Sequence, residues 1–136
     1  MTENKTYKCI IIDDEPIAIK VIRDHLENFS NMECLRGFTK AVDALEVLNK
    51  EDLDLLFLDI NMPGISGLEF LKSLHTPPKV IFTTAYRNFA VDAFELDALD
   101  YLMKPISFER FLKAMNKFFA SMQQQMSHPQ SYQKQK

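Results

Sequence analysis

Four strand-sized hydrophobic runs of this chain each end at a polar side chain. The residues that close these runs are Asp13 with Asp14, Asp59, Thr84 and Lys104. If the runs are neighbouring parallel strands, their carboxyl ends meet at one edge of one sheet. Three carboxylates, a hydroxyl and an ammonium group then lie together there. The intervals between these residues suit helical crossovers between strands, so the pattern favours an alternating β-α fold.

Strand-like runs and helical periodicities alternate along the chain. The predicted strands are Cys9–Ile12, Glu33–Phe38, Leu53–Leu58, Lys79–Thr83 and Ala98–Met103. Helices are predicted from Pro16 to Phe29, from Ala41 to Leu48, over Phe89–Phe94 and over Phe108–Phe119, and a further short helix is predicted to end at about Leu74. Five β-α units in succession predict a doubly wound α/β sheet, and right-handed crossovers divide the helices between its two faces.

Composition predicts one soluble domain at residues 1–120. Hydrophobic residues make up 46% of the chain and charged residues 26%, as in ordinary globular proteins. The net charge of −3 gives no electrostatic reason to expect direct contact with nucleic acid or an anionic membrane. No secretory or membrane-spanning run is present, which predicts a cytoplasmic location. The glutamine-rich residues 121–136 are expected to finish the last helix and then form a disordered polar linker.

The two cysteines give no sign of a metal site. Neither Cys9 nor Cys34 belongs to a Cys-x-x-Cys pair or has a histidine nearby. A disulfide would need an oxidising compartment, for which nothing in the sequence argues. We therefore expect two buried, reduced thiols that pack as small hydrophobic groups.

The polar residues at the sheet edge suit phosphoryl transfer to a carboxylate. Three crowded carboxylates repel one another, and Mg²⁺, a hard cation that prefers oxygen ligands, supplies the counter-charge. Asp14 and Asp59 would bind it directly, and Asp13 directly or through water. An aspartate can attack phosphorus to form an acyl phosphate. Lys104 and the Thr84 hydroxyl would then stabilise the phosphoryl oxygens.

Each of these residues also has a purely structural interpretation. An acidic pair after a strand often caps a helix, and Thr84 is an ordinary strand residue. Lys104 precedes Pro105 and could simply end a strand, because residues before proline prefer extended conformations. Their joint order and spacing favour the functional interpretation.

Four motifs make the chain resemble a CheY-like response-regulator receiver domain. They are Ile-Ile-Ile-Asp-Asp-Glu-Pro at 10–16, Leu-Asp-Ile-Asn-Met-Pro-Gly-Ile-Ser-Gly at 58–67, Thr-Thr-Ala-Tyr at 83–86 and Tyr-Leu-Met-Lys-Pro at 101–105. The resemblance extends from about Tyr7 to Phe119. It implies a flavodoxin-like, five-stranded parallel sheet of order 2-1-3-4-5.

The resemblance also implies a role for each site residue. Asp59 would be the phosphoacceptor for a sensor histidine kinase. Asp13, Asp14, Asp59 and the backbone carbonyl of Asn61 would bind Mg²⁺. The remaining site residues are Lys104, which would pair with the phosphoryl group, and Thr84 and Tyr101, which would form the switch.

The stretch 90–101 is similar to the LytTR subfamily, whose members usually carry a C-terminal DNA-binding domain. The resemblance thus implies control of transcription through an output domain that this chain lacks. We expect phosphorylation to promote homodimerisation through Phe89–Phe94, Ala98–Met103 and the last helix. The domain itself is expected to be a signalling module and not an enzyme, without direct contact to nucleic acid or membrane.

Two other functions fit part of the pattern. A phosphatase of the haloacid-dehalogenase type uses similar residues, but it needs an acidic residue two positions after the nucleophile, where Asn61 stands. Its acidic pair also comes last in the chain and not first. The second alternative is an interaction module that keeps the fold without phosphorylation. Phosphotransfer to Asp59 would separate all three.

Overall fold

A parallel sheet forms the centre of the molecule. The computed structural model describes residues 5–86 and 97–127. Its strands are β1 (Tyr7–Ile12), β2 (Met32–Phe38), β3 (Leu55–Asp59), β4 (Lys79–Thr84) and β5 (Asp100–Met103). All neighbouring pairs are parallel, and the order is β2-β1-β3-β4-β5. The predicted doubly wound fold and the predicted strand order are both confirmed.

Helices cover the sheet between its strands. The described helices are α1 (Pro16–Leu26), α2 (Leu45–Lys50, after a 3₁₀ turn at Ala41–Ala44), α3 (Gly67–Ser73) and α4 (Phe108–Ser127). Pro16 occupies the first turn of α1, where its missing N–H breaks no helical hydrogen bond. The first helix ends before the predicted Phe29, and the last one continues beyond the predicted Phe119. The helix predicted at Phe89–Phe94 lies outside the described residues.

Two predicted strands begin too early in the chain. The strand predicted from Leu53 begins at Leu55, and its last residue is Asp59. The strand predicted from Ala98 begins at Asp100. Asp97 has a φ of 61°, in the left-handed region, so the chain cannot be extended through that residue.

Two hydrophobic layers hold the helices on the sheet. In β1 and β3, residues alternate between the layers, and both sides are fully buried because helices cover both faces. Under α1 and α4, the ring of Phe57 stacks on that of Phe111 with their centroids 5.6 Å apart. Phe70 of α3 and Phe82 of β4 pack in the other layer. Burial of each such ring stabilises the fold by about 1.5–3 kcal/mol.

The two cysteines differ in their exposure. Cys9 of β1 is fully buried, whereas Cys34 of β2 is only partly buried, and neither forms a disulfide. The expectation of two buried thiols is therefore wrong for Cys34, because β2 lies at the edge of the sheet.

Among the described residues, no helix combines the length and the apolar character that crossing a membrane requires.

Candidate functional site

The carboxyl ends of four strands bring the predicted site residues to one edge of the sheet. Asp59 and Thr84 are the last residues of β3 and β4, while Asp13 and Lys104 directly follow β1 and β5. Within the sheet these strands are neighbours in the order β1-β3-β4-β5. A backbone hydrogen bond of 2.8 Å from Lys104 N to the Thr84 carbonyl continues the sheet into the site.

The carboxylates of Asp13, Asp14 and Asp59 form a compact acidic cluster. One oxygen from each lies within 4.8 Å of the others. Asp13 is 0% exposed and Asp59 is 2% exposed, whereas Asp14 is partly buried. The sequence prediction that these three groups meet is correct, and their burial makes their mutual repulsion strong.

Local backbone geometry orients the two buried carboxylates. Asp13 Oδ1 accepts a hydrogen bond of 2.9 Å from the Glu15 N–H, which fixes it at the entry to α1. Asp59 Oδ1 accepts a long hydrogen bond of 3.4 Å from the Asn61 N–H. The Asp59 carboxylate thus receives weak support from the backbone.

Lys104 supplies positive charge to the cluster. Its Nζ lies 2.9 Å from Asp13 Oδ2, 3.4 Å from Glu15 Oε1 and 3.6 Å from Asp59 Oδ1. The contact with Asp13 is close, but it lacks hydrogen-bond geometry, and Asp13 Oδ2 has no hydrogen-bond partner among the described residues. One ammonium group therefore faces three clustered carboxylates and the nearby Glu15.

The pKa values of the site reflect this imbalance. Burial, followed by the negative charge of Asp13, raises the pKa of Asp59 to about 7, although Lys104 acts in the opposite direction. Burial alone would lower the pKa of Lys104, but its close ionic contact with Asp13, together with the charges of Asp59 and Glu15, raises it. Lys104 therefore stays charged, while metal-free Asp59 is partly protonated near neutral pH.

The cluster fits a hard divalent cation. It offers three carboxylates, and the buried Asp13 Oδ2 still lacks a hydrogen-bond donor. Mg²⁺ binds such oxygen ligands and relieves their repulsion. The acidic cluster could thus hold a metal, as predicted, while the choice of Mg²⁺ and the contribution of the Asn61 carbonyl stay predictions.

The two predicted switch residues lie on adjacent strands. Thr84 is buried, and its Oγ1 accepts a hydrogen bond of 3.0 Å from the Tyr86 N–H. The same hydroxyl donates to the Tyr86 carbonyl at 3.4 Å. Tyr101 is partly buried in β5, opposite Phe82 of β4. Their roles as a switch stay predictions.

Sequence reasoning missed two residues that shape the site. Glu15 was not among the predicted site residues, yet its carboxylate contacts Lys104. Gly67 lies so close to the end of β3 that a Cβ there would be 2.2 Å from the Asp59 carbonyl oxygen. Its N–H donates a hydrogen bond of 2.7 Å to the Ile60 carbonyl. The glycine in the motif after Asp59 was the available signal for this close approach.

The fold and this edge of the sheet agree with a known protein family. A family profile described as "Response regulator receiver domain" matches residues 9–116. The chain belongs to this family. The chain is thus the receiver domain of a two-component response regulator.

Curated relatives support the same assignment. The chain is 41% identical to an uncharacterized response regulatory protein of Shewanella oneidensis, with 80% of this chain and 47% of the relative covered. It is 42% identical to the sensory transduction protein LytR of Staphylococcus haemolyticus, over 81% of this chain and 44% of that protein. It is 40% identical to the transcriptional regulatory protein BtsR of Salmonella typhi, over 81% of this chain and 47% of that protein. The predicted likeness to LytTR-family regulators is confirmed. The chain spans about half the length of these relatives.

Solved structures show the same fold. The response regulatory domain of mrkE from Klebsiella pneumoniae is 33% identical, with a TM-score of 0.78 over 87% of this chain and 99% of that one. The receiver domain of AraT, a response regulator from Geobacillus stearothermophilus, is 30% identical. Its TM-score is 0.80 over 90% of this chain and 99% of that one.

Proposed function

We propose that Asp59 accepts a phosphoryl group from a sensor histidine kinase and that this modification switches a partner surface. A receiver domain implies a cognate histidine kinase. The observation that carries the choice of Asp59 is its position at the centre of the site. Its buried carboxylate lies within 4.8 Å of carboxylate oxygens of Asp13 and Asp14 and 3.6 Å from the ammonium nitrogen of Lys104.

In the proposed reaction, an ionised Asp59 oxygen attacks the phosphorus of a phosphohistidine. A P–O bond forms while the P–N bond breaks, and the electron pair of that bond leaves with the imidazole nitrogen. Lys104 lies close enough to Asp59 to offer its positive charge to the incoming phosphoryl oxygens. The Thr84 hydroxyl, at the end of the adjacent strand, can donate a hydrogen bond to them.

Mg²⁺ is the proposed cofactor of this site. Held by Asp13, Asp14 and Asp59, with the Asn61 carbonyl as a further ligand, it would supply positive charge that offsets both the carboxylates and the phosphoryl oxygens. The fold itself holds these carboxylates close together although they repel one another. Because Asp59 must be ionised to attack, relief of that repulsion also favours the reactive form.

The proposed switch begins at Thr84. A hydrogen bond to a phosphoryl oxygen would compete with its present bonds to the Tyr86 backbone. Movement of the hydroxyl would change the packing beside Tyr101 on β5, which gives a two-state element that phosphorylation can bias.

We further propose that the switched surface forms a homodimer through residues 89–94, β5 and α4. The last two elements move together, because Arg110 of α4 donates hydrogen bonds of 3.0 and 2.8 Å to the buried carboxylate of Asp100. Sedimentation with and without a phosphoryl mimic should show a shift toward dimer. A monomer that is unchanged at high concentration would contradict this part of the proposal.

The domain would act in the cytoplasm as a signalling module and not as an enzyme. One relative, of which the chain covers 47%, is a transcriptional regulatory protein. We therefore propose that the switch controls a DNA-binding output domain of a longer protein, without direct contact between this domain and DNA.

The assignment can be tested with a small acyl-phosphate donor. Intact-mass measurement should show one added phosphoryl group in the presence of Mg²⁺ and none in EDTA. Asp59→Asn should abolish the addition, since an amide cannot form the acyl phosphate. Asp54→Asn is the matched control, because Asp54 precedes the opposite end of β3 and should leave labelling unchanged.

The same experiment separates the alternatives. A phosphorylation-independent module would take up no phosphoryl group under any condition. A phosphatase would release phosphate from the donor over many turnovers. Wild-type labelling of Asp59→Asn would overturn the assignment of the phosphoacceptor.

A further inference from the structure

Cys9 and Cys34 face each other across the β1–β2 pair. They are register partners on parallel strands, and both side chains pack in the layer under α1 and α4. Neighbouring strands lie about 4.8 Å apart. This spacing falls within the Cα separation of about 4.4–6.8 Å that a disulfide can span.

The two thiols have different environments. Cys34 Sγ donates a weak hydrogen bond of 3.9 Å to the Arg36 carbonyl. The interaction with Cys9 lowers the pKa of Cys34, burial acts against it, and the nearby Arg23 side chain of α1 lowers it further. The interaction with Cys34, burial and the charge of Asp54 together raise the pKa of Cys9. These directions agree with the exposure of the two thiols, since Cys34 is partly exposed and Cys9 is fully buried, and they make Cys34 the more readily ionised of the two.

The position of the pair at the edge of the sheet gives Cys34 access to solvent. Within the described sheet, β2 pairs only with β1, and Cys34 is partly exposed while Cys9 is fully buried. The register also shifts directly after the pair, so that Leu35 has no partner on β1. Such a bulge interrupts the ladder and gives the backbone beside Cys34 room to adjust.

We propose that Cys34 and Cys9 form a peroxide-sensitive pair, in which Cys34 is the attacking thiolate and Cys9 the resolving thiol. The Cys34 sulfur attacks one oxygen of hydrogen peroxide. An S–O bond forms, the O–O bond breaks, and the second oxygen leaves as hydroxide, which takes up a proton to become water. Cys34 is then a sulfenic acid.

The second step joins the two strands. The Cys9 sulfur attacks the Cys34 sulfur, an S–S bond forms, and the S–O bond breaks. The departing oxygen takes the Cys9 proton and leaves as water. Two thiols and one hydrogen peroxide thus give one disulfide and two waters. The cross-link would join the strand that leads into Asp13 to the edge strand, whose last residue, Phe38, already bonds to the Asp13 N–H.

The test uses the full 136-residue chain, reduced and then treated with hydrogen peroxide. After free thiols are blocked, peptide mass spectrometry should find an intramolecular Cys9–Cys34 disulfide that dithiothreitol reverses. Cys9→Ala should stop at a Cys34 sulfenic acid, which dimedone traps. Cys34→Ser should show no oxidation at Cys9 under the same conditions.

Several further results would support or overturn the proposal. Arg23→Gln should slow alkylation of Cys34 several-fold at neutral pH, whereas Arg23→Lys should retain most of the rate. Full blocking of both thiols after peroxide treatment of the wild type would overturn the proposal. Disulfides found only between different chains would overturn it too, and so would oxidation of Cys9 in Cys34→Ser at the wild-type rate. The Cys34 variant keeps this test available even if Cys9→Ala folds poorly, because Cys34 is only partly buried.

Discussion

Substitution Asp59→Asn should stabilise the metal-free protein. In the wild type, the buried Asp59 carboxylate faces Asp13 and Asp14, and the backbone hydrogen bond that it accepts from Asn61 is long, at 3.4 Å. The amide of asparagine has nearly the same shape and carries no charge. The substitution therefore removes repulsion from the site without creating a cavity.

The size of the effect follows from the pKa of Asp59. Burial and the charge of Asp13 raise this pKa from 3.8 to about 7. A shift of this size corresponds to a ceiling of roughly 4 kcal/mol, at about 1.4 kcal/mol per pH unit. Because the variant also deprives Lys104 of one ionic partner, we expect a net gain of about 2 kcal/mol at pH 8.

The sign of the pH dependence is fixed by the direction of the shift. A pKa that is higher in the folded state contributes stability that is fully present below the unfolded value near 3.8. That contribution is lost as the pH rises through about 7. The wild type should therefore lose stability relative to Asp59→Asn across this window, and the two proteins should differ least at its acidic end.

Urea unfolding in EDTA at pH 5 and pH 8 measures this difference. Asp54→Asn, at the opposite end of β3, serves as the control and should not show the same pH-dependent gain. Addition of Mg²⁺ should stabilise the wild type more than Asp59→Asn, since only the wild type offers the third carboxylate. A variant that is less stable than the wild type at pH 8, or a gain of equal size at both pH values, would refute the reasoning.

Three other contacts give predictions that can be checked in the same way. Gly67→Ala should lower the free energy of unfolding by about 2 kcal/mol and slow phosphorylation, because the added Cβ would overlap the backbone at the end of β3. Unchanged urea midpoints and labelling rates would contradict this prediction. Asp100→Asn should cost about 1–3 kcal/mol, since it weakens a buried ion pair. Burial raises the pKa of Asp100, but the hydrogen bonds and charge of Arg110 outweigh burial and lower it. The stabilisation by this ion pair is therefore present at neutral pH and is lost on acidification. Unfolding curves between pH 7 and pH 3 should show this loss. His25→Ala should cost about 2 kcal/mol, because it loses a hydrogen bond of 2.8 Å to the Ile106 carbonyl and ring contacts; equal thermal midpoints would count against it.

The sequence predicted the sheet and the residues at its edge because both depend on short-range patterns. A buried parallel strand needs a continuous apolar run, and a polar residue that ends such a run must lie where the strand leaves the core. The motif residues Asp59, Thr84 and Lys104 followed from that rule. The start of β5 did not, because Ala98 and Leu99 continue the apolar run on the N-terminal side of a strand that begins only at Asp100.

The sequence contains no comparable pattern that predicts contacts between distant segments of the chain. The register that places Cys9 opposite Cys34 depends on how β2 pairs with β1, including the bulge at Leu35. Alternation of apolar residues assigns faces, but in β2 this alternation is broken at Cys34 and Leu35, so it does not specify the register strongly. The contact from Glu15 to Lys104 spans 89 residues and likewise arises only when β1 and β5 end beside the same site.

The charge distribution of the site also indicates where a signal leaves it. A phosphoryl group on Asp59 would add negative charge to a site where three carboxylates already face the single ammonium group of Lys104. Lys104 would then shift from Asp13 toward the phosphoryl oxygens, and the Thr84 hydroxyl would give up its bonds to the Tyr86 backbone. Both responding groups lie at the ends of β4 and β5, which a backbone hydrogen bond joins there. The proposed rearrangement would therefore fall on the β5 side of the sheet, away from the β2 edge, and the Asp100–Arg110 ion pair would connect it to α4.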